Sequence, residues 1–149
     1  MRKLVLGTVL GLVMVACAQK NRQARPEPQP QQQEQDAARV TVVAKEYAFD
    51  ITAAIDRGET TFVLENVGQE PHEFGLVRIT GDKSVEELIE LRNRADRFIE
   101  DVGSAYARPG KTDELTVTLE PGRYGYACFV TTHGQPHALA GMFGEFRVA

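Results

Sequence analysis

Tyr124-Gly-Tyr-Ala-Cys128-Phe-Val-Thr-Thr-His133-Gly-Gln-Pro-His137-Ala-Leu-Ala-Gly-Met142 contains a thiol, two imidazoles and a thioether within nineteen residues. Up to Cys128 the residues alternate, with both tyrosines and the cysteine on one face, which is typical of a half-buried strand. Thr, Gly, Gln and Pro then predict a loop that carries His137 and Met142 back over the sulfur. Because Cys, His and Met are soft or borderline ligands, the stretch predicts a metal site that favours copper over calcium or magnesium.

The first seventeen residues have the composition of an export signal. Two basic residues precede an apolar run over residues 4–15, which has the length of a signal-peptide core and is too short to span a bilayer stably. The run ends in Met14-Val15-Ala16-Cys17, which resembles a bacterial lipobox. We therefore expect residues 1–16 to be removed and Cys17 to become the lipidated N-terminus of the mature protein.

An ordinary secretory signal, cleaved near Ala16 or Ala18, is the alternative, and it would export the domain as well. For a lipoprotein, an alanine and not an aspartate after the cysteine points to the outer membrane in Gram-negative bacteria. The expected location is therefore the cell envelope, with a lipid anchor in the outer membrane and the domain facing the periplasm. Export leaves Cys128 alone in a compartment where thiols oxidise, and either metal ligation or full burial would protect it.

Residues 17–38 separate the signal from the domain. They contain three prolines and a run of glutamines with almost nothing apolar to bury, which predicts a flexible, partly extended tether behind the lipidated cysteine. The whole chain has a net charge of −4 and carries no basic patch with interleaved aromatic residues. Nucleic acid is therefore excluded as an expected partner.

Residues 39–149 are long enough for one domain with a substantial core. Short runs rich in β-branched and aromatic residues alternate with turn signals, which predicts a mainly β fold built as a β-sandwich. The predicted strands are residues 39–49, 50–55, 60–66, 72–79, 112–119, 123–130 and 143–148.

One segment departs from the strand pattern. Ser84-Val-Glu-Glu87 is a capping box, and apolar residues follow it at helical spacing. The pattern predicts an inserted α-helix over about residues 85–100, with its apolar stripe packed on the sandwich; a partner-docking surface is the alternative use of that stripe. A loop is expected over residues 103–110.

Two segments resemble the ligand-bearing segments of cupredoxins, the fold of the blue copper proteins. The first is Asn66-Val-Gly-Gln-Glu-Pro-His72-Glu-Phe, and the second is the stretch quoted above, continued to Gly144. The spacing Cys-x8-His-x4-Met is similar to that of the type 1 site of copper nitrite reductases. The resemblance covers residues 39–149 and implies a Greek-key β-sandwich that holds one copper ion, cycling between Cu(I) and Cu(II). The ligands implied by position are His72, Cys128, His137 and Met142.

Two positions need separate treatment. Blue copper proteins often have Asn just after the first histidine, where it braces the cysteine loop, whereas this chain has Glu73. The residues that support the ligands are therefore expected to differ from the family pattern. His133 follows Cys128 at a shorter, azurin-like spacing, and we interpret it as a loop residue near the site.

The resemblance implies a one-electron carrier and not an enzyme. A trigonal set of two imidazoles and a thiolate with a weak axial thioether suits both oxidation states of copper, so little reorganisation accompanies electron transfer. We expect a monomer, held at the membrane by its N-terminal lipid, that exchanges electrons with a redox partner protein which the sequence does not identify.

Three other functions are open from the sequence. A periplasmic copper carrier would bind the same ion but would need an exposed Met- or His-rich approach. A cupredoxin-like binding or assembly module would bind no metal. A cysteine-nucleophile enzyme would need Cys128 beside a histidine base, and it ranks last because the cysteine is predicted to face inward.

Overall fold

The computed structural model describes residues 37–149. The predicted signal peptide at residues 1–16, the lipidation site Cys17 and most of the tether at 17–38 lie outside the described residues. Among the described residues, no helix is long and apolar enough to cross a membrane.

The strands in the described part of the chain form two four-stranded sheets and a small two-stranded ribbon. The first sheet has the strand order β2-β1-β3-β6, the second has the order β10-β7-β4-β5, and β8 pairs with β9. The strands are β1 Ala38–Lys45, β2 Ala48–Asp50, β3 Gly58–Asn66, β4 His72–Ile79, β5 Ile99–Ala107, β6 Thr112–Leu119, β7 Gly122–Ala127, β8 Thr131–Thr132, β9 Gln135–Pro136 and β10 Phe143–Val148.

The core lies between the two four-stranded sheets. Alternate residues of β1 and β3 point inward from the first sheet, and Phe62 and Leu64 of β3 have no exposed surface. Phe74 and Leu76 of β4 meet them from the second sheet and are equally buried. Burying alternate residues from both inner faces is what a β-sandwich requires, so the predicted fold class is confirmed.

Three strands of the second sheet end or begin at the place where the candidate ligands lie. His72 is the first residue of β4, Cys128 directly follows β7, and Met142 directly precedes β10. Strand β7 lies between β4 and β10 and is antiparallel to both, so these three positions meet at the same end of the sheet, where the strands begin or stop.

Several strand boundaries match the sequence patterns, and others do not. The predicted strands at 72–79, 112–119 and 143–148 have the observed bounds. The predicted strand at 39–49 is wrong at residues 46–47, where a tight turn divides it and pairs Ala48 with Lys45. The predicted strand at 50–55 is wrong beyond Asp50, where β2 ends. The cysteine strand also ends before residue 130, since the Cys128 amide already bonds to the loop that follows.

The inserted helix is present but shorter than predicted. Ser84 caps it through both hydrogen bonds of the capping box, and the α-helix α1 covers Val85–Leu91. A 3-10 helix follows over Arg92–Phe98, where Arg92 adopts a positive φ of 50° that interrupts the regular α-helical backbone. The apolar stripe packs on the second sheet, as expected.

The loop predicted at 103–110 is wrong over most of its length, because strand β5 extends to Ala107. The segment that starts β5 is polar and contains Gly103, so its local strand propensity is low. Its pairing with β4 along nearly the whole strand supplies the backbone hydrogen bonds that its own sequence does not predict.

Candidate metal centre

Backbone hydrogen bonds close the loop that carries three of the four candidate ligands. The Cys128 amide donates to the Met142 carbonyl at 3.0 Å, and the Met142 amide donates to the His137 carbonyl at 3.1 Å. The amides of His137 and Ala138 bond back to Val130 and Cys128 at 3.0 and 2.8 Å. The positions of these side chains are therefore set by main-chain contacts within the loop.

The turn between His137 and Met142 uses one glycine. Residues His137–Ala140 form a short 3-10 helix, and Gly141 ends it with a φ of 103°. A side chain would strain that backbone conformation, so glycine is the residue that suits this reversal. The reversal places Met142 immediately before β10.

His72 is held by the loop that precedes it. The buried side chain of Asn66, at the end of β3, donates to the carbonyls of Glu70 and Ala107 at 2.7 and 2.9 Å. Its carbonyl oxygen accepts the Gly68 amide at 2.8 Å. One asparagine thus shapes the loop that brings the first histidine into the site.

Three donor atoms of the site form a compact buried triangle. His72 Nδ1 and His137 Nδ1 lie 3.2 Å apart, and Cys128 Sγ lies 4.0 Å from the first and 3.5 Å from the second. Two of these residues have no exposed surface and His137 is 1% exposed. Of the described His, Cys, Asp and Glu residues, these three form the group able to hold a metal ion.

The dimensions of the triangle suit a metal ion. The point equidistant from the three atoms lies about 2.1 Å from each, given the three sides. Bonds from zinc to nitrogen and sulfur have similar lengths, about 2.0–2.3 Å. A thiolate with two imidazoles is the trigonal donor set that copper favours, so the residues present are able to hold one copper ion.

Met142 lies in the same buried core cluster as Cys128, with none of its surface exposed. Its backbone bonds tie it directly to both Cys128 and His137. The thioether is thus in the neighbourhood of the donor triangle, on the loop that the sequence predicted.

The environment of Cys128 opposes a role as a nucleophile. Burial raises the pKa of its thiol, although the Glu73 amide donates to the sulfur at 3.3 Å. A nucleophilic cysteine requires an accessible thiolate, and this sulfur has no exposed surface. A bound metal cation would favour the thiolate directly.

The far edge of each imidazole faces a carboxylate. His137 Nε2 is 2.6 Å from Thr132 Oγ1 and 3.0 Å from Glu70 Oε2. His72 Nε2 is buried and lies 3.4 Å from Glu46 Oε1, a close contact that lacks hydrogen-bond geometry. Burial lowers the pKa of His72, which favours the neutral ring that a metal ligand requires.

His133 lies outside the triangle. Its side chain is 80% exposed, and its Nε2 atom is 2.9 Å from Glu70 Oε1. It belongs to the turn between the short strands β8 and β9, with a positive φ of 52°. The structure therefore places it near the site, as a loop residue, and brings His137 into the donor set.

Sequence reasoning missed the residues around the imidazoles. The supporting side chains are Glu46, Tyr47, Glu70 and Thr132. Glu70 lies two residues before His72 in the sequence, but its carboxylate contacts His137, which no local pattern predicts. Glu46 carried no signal either, since its contact with His72 depends on how the hairpin of β1 and β2 packs against a distant loop.

Two packed sheets with this site at one end define the cupredoxin fold. No protein-family model matches the chain, and no curated protein sequence matches it. Solved structures of two auracyanins share the fold. Dithionite-reduced auracyanin from the photosynthetic bacterium Roseiflexus castenholzii is 23% identical, with a TM-score of 0.53 over 76% of this chain and 98% of that one. Auracyanin A, a "blue" copper protein from the green thermophilic photosynthetic bacterium Chloroflexus aurantiacus, is 23% identical, with a TM-score of 0.56 over 76% and 99% of the two chains.

Proposed function

We propose that this chain is an exported, membrane-anchored mononuclear copper protein that carries one electron at a time. His72, Cys128 and His137 would hold the ion through two imidazole nitrogens and the thiolate, and Met142 would add its thioether. The observation that carries the proposal is the buried triangle of two Nδ1 atoms and one sulfur, with sides of 3.2, 3.5 and 4.0 Å.

The rigidity of the site supports electron transfer. A bound copper ion would supply a one-electron couple between Cu(I) and Cu(II). The protein's part is to hold the donors in one arrangement for both states, which main-chain hydrogen bonds at Cys128, His137 and Met142 do. Donor atoms that need not move keep the reorganisation accompanying electron transfer small.

Burial favours an electron carrier over a copper carrier. Exchange of the metal requires incoming ligands to reach it, yet no candidate ligand side chain is more than 1% exposed. An electron requires no such opening. Phe129, which follows Cys128 in the chain, and Leu139, two residues after His137, are 55% and 45% exposed and would offer a redox partner protein apolar surface.

Export and anchoring complete the proposal and rest on the sequence alone. The lipobox-like residues ending at Cys17 and the Pro- and Gln-rich tether support a lipoprotein in the cell envelope, with the domain on the periplasmic side of the outer membrane. The tether would let a domain anchored in this way reach a membrane-bound or soluble redox partner.

Copper loading of the mature chain, purified in detergent, tests the proposal. We expect one Cu(II) per chain and an intense thiolate-to-copper absorption band in the visible range. Cys128→Ser removes the thiolate and should remove the band. Copper uptake without that band would contradict a type 1 site, and a chain that takes up no copper would be a metal-free module.

A further inference from the structure

We propose that Glu70 and Thr132 are positioning residues that fix the tautomer of His137 and lower the reduction potential of the site. The effect on the reduction potential rests on the proposed copper function. The assignment of the His137 tautomer concerns the metal-free chain and does not depend on copper.

The tautomer follows from which groups can donate. Thr132 Oγ1 contacts both Glu70 Oε2 and His137 Nε2. A carboxylate has no proton to give, so the Thr132 hydroxyl donates its single hydrogen to Glu70. Its oxygen can then only accept from the ring, which requires that Nε2 carry the proton. His137 Nδ1 is left with a free lone pair directed into the donor triangle.

The surroundings keep Glu70 an acceptor. The Thr132 hydroxyl donates to Glu70 Oε2, and His133 Nε2 lies 2.9 Å from Glu70 Oε1, so both carboxylate oxygens face polar partners. The Tyr47 hydroxyl adds a weaker contact at 3.5 Å to the same oxygen that Thr132 bonds. The Tyr47 ring packs against His137, with the ring centroids 4.8 Å apart and the ring planes at 58°. Tyr47 thus contacts both the imidazole and the carboxylate at the two ends of the relay from ring to hydroxyl to carboxylate.

The negative charge of Glu70 should lower the reduction potential of a copper ion bound at this site. Glu70 Oε2 is 3.0 Å from His137 Nε2, and the Glu70 side chain is 18% exposed, so solvent screens its charge only partly. An acceptor at the far nitrogen of a metal-bound imidazole raises the basicity of the ligand. A more basic ligand and a nearby negative charge both stabilise Cu(II) more than Cu(I), and the reduction potential falls.

Glu46 faces the other imidazole in a different way. Its Oε1 atom already accepts the amides of Gln69 and Glu70 at 2.6 and 2.8 Å. The 3.4 Å contact with His72 Nε2 has no hydrogen-bond geometry. Glu46 therefore offers His72 a charge but no relay, and the tautomer-fixing role belongs to Glu70 and Thr132.

The tautomer is tested without copper. Nitrogen chemical shifts of the histidine rings in the metal-free, full-length chain report which ring nitrogen carries the proton. We expect the Nε2–H form for His137 in the wild type, and a mixture of tautomers in Glu70→Gln and Thr132→Val. An Nδ1–H form in the wild type, or an unchanged Nε2–H form in both variants, would overturn the relay.

The potential is tested on the copper-loaded chain. At a fixed applied potential, Glu70→Gln should shift the Cu(II)/Cu(I) ratio about tenfold toward Cu(I), which is about 59 mV for one electron. Thr132→Val removes the relay but keeps the Glu70 charge, so it should give a smaller shift in the same direction. Thr132→Ser keeps the hydroxyl and should restore the wild-type potential. Glu73→Gln is the matched charge control. It removes one negative charge next to His72 in the chain, but it leaves the relay and the contact of the Glu73 backbone amide with the sulfur in place.

The outcomes separate the two proposals. A wild-type chain with no visible copper band contradicts the copper function. The nitrogen chemical shifts of the metal-free chain then still test whether Glu70 and Thr132 fix the His137 tautomer. A wild-type band whose potential is unchanged in Glu70→Gln overturns the tuning role and leaves the copper function standing. If Glu70→Gln fails to fold, the comparison of Thr132→Val with Thr132→Ser decides the same question. A shift in Glu73→Gln as large as that in Glu70→Gln would show a general charge effect and contradict the relay.

Discussion

The backbone amide of Glu73 donates a hydrogen bond of 3.3 Å to the sulfur of Cys128. It connects strand β4, which starts with His72, to the cysteine at the end of β7. Since the donor belongs to the main chain, the contact does not depend on the side chain at this position. Glu73 can therefore occupy the place where blue copper proteins often have Asn, and Asn66 holds the preceding loop.

The two loop histidines should differ in their effect on copper binding. His137→Ala removes a donor atom from the buried triangle, so it should abolish or grossly alter the visible spectrum of the copper-loaded protein. His133→Ala removes an exposed side chain and should leave coordination intact. A site that survives His137→Ala and is lost in His133→Ala would require the shorter, azurin-like ligand spacing.

Met142 should contribute both to packing and to the potential. Met142→Ala leaves a cavity at a fully buried position and should cost about 2–5 kcal/mol of unfolding free energy in the metal-free chain. Met142→Leu keeps most of the volume and should cost less than about 1.5 kcal/mol.

The same leucine variant distinguishes an axial ligand from core filler. It should retain the visible band, because Cys128 remains, but its potential should rise, since an apolar group disfavours the more highly charged Cu(II). Redox titration of the copper-loaded variant measures this. A potential equal to that of the wild type would mean that Met142 serves as core packing alone.

The helix cap should make stability depend on pH at the acid end. The Ser84 amide donates to the Glu87 carboxylate, which lowers the pKa of Glu87 below its ordinary value of 4.5. A carboxyl with a depressed pKa in the folded state adds stability above the unfolded pKa, and that stability is lost as the pH falls through the folded pKa.

Glu87→Gln should therefore lower the unfolding free energy at neutral pH, with a difference from the wild type that shrinks below about pH 4.5. Denaturant unfolding at a series of pH values measures this difference. Glu86→Gln, in the same helical turn, is the control and should keep most of the wild-type pH dependence. A loss in Glu87→Gln that stays constant with pH would contradict the ionic capping contact.

Cys17 should decide where the protein resides. Cys17→Ser removes the proposed lipidation site, so the variant should be found in the soluble fraction or remain as an unprocessed precursor. Several acyl chains anchor a protein stably, whereas one chain holds it only marginally. Fractionation of cells expressing both forms is the measurement, and unchanged membrane association of the variant would rule the anchor out.

The sequence predicted the positions of the candidate ligands that lie on or beside regular strands. Alternation at 124–128 correctly placed Cys128 inward, and the apolar pattern after Pro71 correctly started a strand at His72. These are local signals, because a period of two residues assigns each side chain to one face of a sheet.

The parts that the sequence missed depend on contacts between distant segments. Strand β5 forms by pairing with β4 despite its polar start, and Arg92 ends the α-helix within a stretch whose apolar spacing continues. Glu46 reaches His72 because of how the β1–β2 hairpin packs. No local pattern encodes such contacts, since they depend on the tertiary arrangement that the chain adopts.

Stoichiometric redox titration of the copper-loaded wild-type chain, in the presence of a Cu(I) chelator, tests the electron-carrier function most directly. We predict that one electron per copper bleaches the visible band, that the chelator takes up no metal, and that one oxidising equivalent restores the band in full. The buried ligands, none more than 1% exposed, are the reason to expect retention of Cu(I). Transfer of the copper to the chelator on reduction, or failure of the band to return, would contradict an electron carrier and favour a copper carrier.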